Sequence, residues 1–66
     1  MEKNKVIEEY KEFVKRQRLV GRSSHDIYCM AYAYLEALAH TGNIEYTEEL
    51  DLLDFAEEVG KRGINP

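Results

Sequence analysis

The sequence predicts an all-α fold: a small three-helix domain with a central apolar middle helix. Two amphipathic segments with a helical period flank one segment that is apolar on nearly all sides. Glycines and serines typical of helix ends lie between them. With 66 residues and 7.7 kDa, the chain is expected to form a single domain, 1–66. The predicted helices cover about 4–18, 24–40 and 47–60, and 61–66 is predicted to be a tail.

The first helix is predicted from an apolar stripe. Its members repeat at the three- and four-residue spacing that lines one side of a helix, and charged residues occupy the rest of the surface. They are Val6, Ile7, Tyr10, Phe13, Val14 and Gln17. Basic residues crowd the last turn, where the carbonyl end of the helix dipole favours them. Gly21 is typical of the residue that follows a helix.

The middle helix is predicted to begin at Ser23 or Ser24 and to be buried on nearly all sides. From Ile27 to Ala39 only Glu36 is charged, so three neighbouring stripes are apolar. Two companion helices can cover only two of these stripes. We therefore expect the remaining one to bury against a second copy of the chain in a two-fold homodimer. The predicted dimer interface combines small residues spaced by four with flanking tyrosines: Tyr28, Cys29, Tyr32, Ala33 and Ala37.

The third helix is predicted to follow Thr47 and to carry an acidic outer face. Its core stripe consists of Leu52, Phe55, Ala56 and Val59. Seven carboxylates fall within residues 45–58. One interpretation is a solvated face that serves solubility. The other is a surface that docks on a larger protein with a basic surface, with Glu48, Asp51 and Glu58 as partner-binding residues.

The size of the chain also favours assembly. A domain of this length buries only about 60% of the surface of its unfolded chain and is marginally stable. One cysteine excludes an internal disulfide, which leaves a metal or a partner subunit as the added support. His25 and Cys29 have a spacing that can hold zinc, but a tetrahedral site needs four ligands, so we predict no metal and no cofactor. The neighbours of Cys29 predict a core position rather than a nucleophile.

Charge distribution raises a nucleic-acid alternative. Residues 1–22 carry a net charge of +3 and residues 23–66 a net charge of −7. A small transcriptional regulator using the basic first helix is therefore the alternative function. The middle helix offers no Arg, Lys, Asn or Gln to read bases, so we expect no nucleic-acid partner. The stretch from Phe13 to Leu38, through Gly21, Arg22, Ser23 and Ile27, resembles the helical core-binding domain of tyrosine recombinases without its basic clamp, and we carry over no function.

The predicted function is that of a non-enzymatic interaction protein. The sequence has no Gly-rich phosphate loop, metal cluster or catalytic triad, so we predict no enzymatic activity. We expect a homodimer that binds and inhibits or modulates a larger macromolecule. Its size and acidic surface suit a viral protein, or one encoded by a mobile element, that inhibits a host or defence enzyme. The low cysteine content and the lack of a long apolar run predict a cytoplasmic protein with no membrane partner.

Overall fold

The computed structural model of the chain describes residues 2–62. They form three α-helices of 17 residues each: α1 (Lys3–Leu19), α2 (Ser24–His40) and α3 (Tyr46–Arg62). Within this range no strand is present, and the all-α, three-helix prediction is confirmed. The predicted tail is wrong at its start, because Lys61 and Arg62 belong to α3. The rest of that tail, 63–66, lies outside the described residues.

The three helices run up, down and up along a body of about 30 × 18 × 17 Å. The beginnings of α1 and α3 lie side by side, since Lys3 Nζ is 3.1 Å from Glu48 Oε1. The end of α3 lies against the beginning of α2, where Gly60 approaches Ser24. One end of the bundle therefore holds the α1–α2 turn and the last turn of α3. The opposite end holds the α2–α3 connection and the start of α1.

The helix ends use the residues that the sequence predicted for them. Gly21 and Gly42 follow α1 and α2 with φ of 90° and 80°, a conformation that favours glycine. After α1, the Gly21 N–H donates to the Arg18 carbonyl and the Arg22 N–H to the Gln17 carbonyl, the Schellman pattern. At the start of α2, the Ser23 hydroxyl accepts a 3.1 Å hydrogen bond from the Asp26 N–H.

The third helix differs from its prediction at both ends. It begins at Tyr46, one residue before the predicted cap Thr47, and the Glu45 N–H donates to Glu48 Oε1 at 2.8 Å. The helix was predicted to end at Gly60, but α3 continues through this residue to Arg62. A Cβ at Gly60 would lie 3.1 Å from both Cα and Cβ of Ser24. The glycine therefore allows a close approach between α3 and α2 instead of ending the helix.

The core of the described residues is apolar apart from the Tyr10 hydroxyl and the Glu49 carboxyl group. Its fully or nearly fully buried apolar members come from all three helices and the last connection: Val6, Tyr10, Val14, Ile27, Ala31, Leu35, Ile44, Leu52, Leu53, Ala56 and Val59. Tyr10 is completely buried, and its hydroxyl donates a 2.6 Å hydrogen bond to the Leu52 carbonyl. Glu49 is the buried charged residue within 2–62. Tyr34 packs edge-on against Tyr10, with the ring centres 5.4 Å apart.

Within one chain, α2 is buried on one side only. Ile27, Ala31 and Leu35 are its buried residues, and they lie between α1 and α3. Cys29 is exposed, so the prediction that it occupies the core is wrong. The reason is geometric: the two other helices both lie against the side of α2 that carries Ile27, and the side that carries Cys29 and Ala33 is exposed.

We predict that Tyr10→Phe destabilises the fold by about 1 kcal/mol, because the substitution keeps the ring but removes the hydroxyl that bonds to the Leu52 carbonyl. Urea unfolding followed by circular dichroism measures this difference. Tyr46→Phe is the matched control, since Tyr46 is 70% exposed. Equal unfolding free energies for Tyr10→Phe and the control would show that the buried hydrogen bond contributes nothing net.

Candidate functional site

The free side of α2 is an exposed surface of small and aromatic residues. All five residues predicted for the dimer interface lie on it and are exposed: Tyr28, Cys29, Tyr32, Ala33 and Ala37. Their spacing spreads them over about half of the helix circumference, centred opposite Ile27. We call this surface the α2 face. Its centre, at Cys29, Ala33 and Ala37, carries side chains short enough to let another helix backbone approach closely.

A pair of carboxyl groups borders the α2 face. Glu36 is exposed on α2, one turn after Tyr32, and interacts with Glu49 of α3, which is only 5% exposed. Hydrogen bonding with Glu36 raises the pKa of Glu49, and partial desolvation and the charge of Glu36 add to the shift. The charge of Glu36 also raises the pKa of Tyr32. The surroundings of Glu49 therefore favour its protonated form.

The thiol of Cys29 has one polar neighbour. Its Sγ lies 3.6 Å from His25 Nε2, and both residues are exposed in the first half of α2. Within residues 2–62, no three His, Cys, Asp or Glu side chains come together as a metal-binding group. His40 stands near the other end of the same helix. The contact between Cys29 and His25 is therefore a local pair of side chains on the α2 face.

The outer side of α3 is acidic with two exposed apolar groups. Its exposed members, which we call the α3 face, are Tyr46, Thr47, Leu50, Asp51, Asp54, Glu57 and Glu58. Glu57 and Glu58 each form an ion pair one turn away, with Lys61 at 2.9 Å and Arg62 at 3.1 Å. Asp51 and Asp54 have no cation within 4 Å among the described residues. Two of the three predicted partner-binding residues, Asp51 and Glu58, thus lie on the α3 face.

Glu48, the third predicted partner-binding residue, serves the fold. It is half-buried, accepts a hydrogen bond from the Glu45 N–H and pairs with Lys3 of α1. The backbone hydrogen bond from Glu45, followed by the contact with Lys3, lowers the pKa of the Glu48 carboxyl. This capping role could have been predicted from the sequence. A glutamate three residues after the residue that precedes a helix can accept a hydrogen bond from that residue's N–H.

The sequence analysis missed a third surface, at the turn after α1. Leu19 is 75% exposed and Val20 is 65% exposed. Basic residues surround them, and we call residues 15–22 the basic tip: its cations are Lys15, Arg16, Arg18 and Arg22. Two other basic residues of α1 contact α3: Lys3 pairs with Glu48, and Lys11 Nζ lies 5.3 Å from the centre of the Phe55 ring. The sequence did contain a signal for this surface: Leu19 and Val20 are aliphatic but lie beyond Gln17, the last member of the apolar stripe of α1.

Known proteins give no guide to the function of this chain, so a function has to be inferred from the surfaces described above. No family model, curated protein or solved structure matches the chain. None of the three helices in residues 2–62 has the length and apolar character needed to cross a membrane.

We predict that Glu49→Gln raises the melting temperature at neutral pH and flattens its pH dependence. A raised pKa of Glu49 means that its proton contributes its full stability below the ordinary pKa of 4.5. That contribution is lost as the pH rises through the raised pKa. A glutamine amide carries no charge and can donate to Glu36 at every pH. Thermal melts monitored by circular dichroism test this prediction. They run from neutral pH down to about pH 4, where an ordinary glutamate is half protonated.

Asp54→Asn is the control for this experiment, because it removes an exposed carboxylate from the same helix. It should leave the pH dependence unchanged. A lower melting temperature of Glu49→Gln at neutral pH would contradict the prediction. It would mean that the ionised form of Glu49, and not its protonated form, stabilises the fold.

Proposed function

We propose that this protein is a non-enzymatic interaction module that forms a homodimer through the α2 face and binds a basic protein surface through the α3 face. The observation that carries the proposal is the exposure of the short side chains of Cys29, Ala33 and Ala37 on α2, with the exposed Tyr32 one turn from Cys29. Such a surface has the small and tyrosine side chains of a protein interface, with the charge of Glu36 beside them. The α2 and α3 faces share no residue, so both can be occupied at once.

A second copy of the chain is the proposed occupant of the α2 face because the face is self-complementary. Small residues at Cys29, Ala33 and Ala37 leave a shallow groove, and Tyr32 stands beside it, one turn from Cys29. Two antiparallel copies of α2 crossing at Ala33 would place the tyrosines of each copy beside the small residues of the other. A two-fold axis there uses the same patch twice, as isologous dimers do.

The α3 face is the proposed site for the larger partner. Asp51 and Asp54 are exposed and have no cation within 4 Å among residues 2–62, so their charges are available to an incoming basic group. Leu50 and Tyr46 add exposed apolar area beside them. This combination of charge and apolar contact suits a basic groove with an apolar floor. Inhibition of that partner, and an origin in a virus or mobile element, stay predictions from the size and acidity of the chain.

We predict that Ala33→Glu separates the dimer without unfolding the chain. The substitution places two carboxylates opposite each other at the proposed two-fold axis, where like charges raise the dissociation constant by at least about a hundredfold. Because Ala33 is exposed in the single chain, the helical spectrum should be preserved. Sedimentation equilibrium of the wild type and the variant across micromolar concentrations measures the change.

Thr47→Glu, an exposed position on α3, is the control and should leave the dimer intact. Cross-linking locates the axis independently: in a Cys29→Ser background, Ala33→Cys should form an intermolecular disulfide and Asp54→Cys should not, because a disulfide requires Cα atoms within about 7 Å. A wild-type chain that sediments as a single 7.7 kDa species would overturn the homodimer.

We predict that the triple variant Asp51→Lys, Asp54→Lys and Glu58→Lys loses binding to a cationic probe. The probe is a fluorescent oligo-arginine peptide, whose affinity is measured by anisotropy at low salt. Reversal of three exposed charges replaces attraction by repulsion and should weaken binding by at least about tenfold. The variant omits Glu48, since its loss would disturb the start of α3 and the contact with Lys3.

A second triple variant provides the matched control for net charge. Glu2→Lys, Glu8→Lys and Glu9→Lys changes the same number of exposed carboxylates, but on or beside α1. It should retain more of the binding than the α3 variant. Equal losses for the two variants would show that the peptide responds to net charge alone, and the α3 face would then be a solvated face.

A further inference from the structure

The basic tip is a fixed, protruding part of the fold. The turn after Leu19 is closed by backbone hydrogen bonds to the last carbonyls of α1, at 3.0 Å from the Val20 N–H to Arg16 and 3.1 Å from the Arg22 N–H to Gln17. Gly21 supplies the positive φ that this closure needs. Leu19 and Val20 are thus held in place at one end of the bundle while they remain largely exposed to water.

Cations surround the two aliphatic side chains. On the helix surface, Lys15 and Arg16 precede Leu19 by four and three residues and share its side of α1. Arg18 and Arg22 stand on either side of the Leu19–Val20 pair in the chain. Within residues 2–62, the ion pairs formed by basic residues are those of Lys3, Lys61 and Arg62. The four cations of the tip are therefore available to an anionic partner.

The acids of the protein lie mostly away from this tip. The start of α3, with Glu45, Glu48 and Glu49, is at the opposite end of a body about 30 Å long. Charges exposed to solvent are screened over about 8 Å at physiological salt. The net charge of −4 therefore does not prevent the tip from meeting an anionic surface. Along the chain, the acids closest to the tip are Glu12 and Asp26, one on each side of it. Glu57 and Glu58, near the end of α3, are paired with Lys61 and Arg62.

We propose that the basic tip binds the surface of an anionic lipid bilayer, with Leu19 and Val20 entering the interfacial region and the surrounding Lys and Arg contacting headgroup phosphates. A bilayer accepts an aliphatic protrusion without a shaped pocket, and long basic side chains can reach the headgroups while their stems stay in the apolar layer. Duplex nucleic acid would satisfy the four cations but would leave Leu19 and Val20 against water or phosphate. The aliphatic pair therefore decides between the two anionic partners.

This surface contact differs from the sequence-based expectation of no membrane partner. That expectation rested on the lack of a long apolar run, which concerns crossing a bilayer. Binding at the surface requires only a few apolar side chains together with basic ones. The proposal uses residues 15–22 and is independent of the α2 and α3 faces.

The test is flotation of the full chain with lipid vesicles. Vesicles of phosphatidylcholine containing about one quarter phosphatidylglycerol should carry the protein, pure phosphatidylcholine vesicles should not, and added salt should release it. The double variant Leu19→Ser and Val20→Ser should bind about tenfold more weakly at unchanged charge. The triple variant Arg16→Gln, Arg18→Gln and Arg22→Gln should bind about a hundredfold more weakly.

A control and a competing probe make the result decisive. Tyr46→Ser with Leu50→Ser removes exposed apolar groups elsewhere and should leave vesicle binding unchanged. All variants should keep the wild-type helical spectrum, because the substituted residues are exposed. Equal flotation of wild type and the Leu19, Val20 double variant would overturn the proposal. So would a lack of flotation combined with salt-sensitive binding of a short DNA duplex that the arginine variant loses, because the tip would then be a nucleic-acid contact.

Discussion

The hydrogen bond from the buried Tyr10 hydroxyl to the Leu52 carbonyl fixes α1 on the rest of the bundle. The α2–α3 pair makes the most extensive packing contact, and α1 rests on that pair through a narrower stripe. A phenol can be buried only where its hydroxyl finds a partner, so the bond specifies one position of α1 along α3. Tyr34 and Phe55, packed around the Tyr10 ring, reinforce that position.

The position of α1 places the basic residues of the chain and its acidic residues on different parts of the surface. Because α1 runs parallel to α3, Lys3 meets Glu48 and the last turn of α1 reaches the end of the bundle where α3 also finishes. The cations of residues 15–22 then gather around an exposed aliphatic pair, whereas Asp51 and Asp54 stay on the outer side of α3. The same packing leaves one side of α2 open. All three candidate surfaces are thus consequences of how two helices cover a third.

Local sequence signals predicted the fold well, and contacts between helices account for the differences. Helix periods and the glycines after α1 and α2 placed the helices correctly to within about two residues, because these signals act within one turn. Gly60 looked like a helix end, but its role depends on Ser24, which lies 36 positions away in the sequence. The exposure of Cys29 was missed for the same kind of reason. An apolar helix predicts burial, but it does not say whether the same chain or another copy provides the cover.

The α2 face and the Glu36–Glu49 pair are physically linked. Glu36 lies one turn from Tyr32, so a second copy seated on the α2 face would reduce the water around Glu36. Loss of solvation disfavours the charged form of a carboxyl group, and Glu49 already holds a raised pKa through its contact with Glu36. Assembly through this face and protonation of Glu49 would therefore favour each other. A dimer that buries Glu36 would be strengthened by mild acid, whereas one that leaves Glu36 at its rim would be indifferent to it.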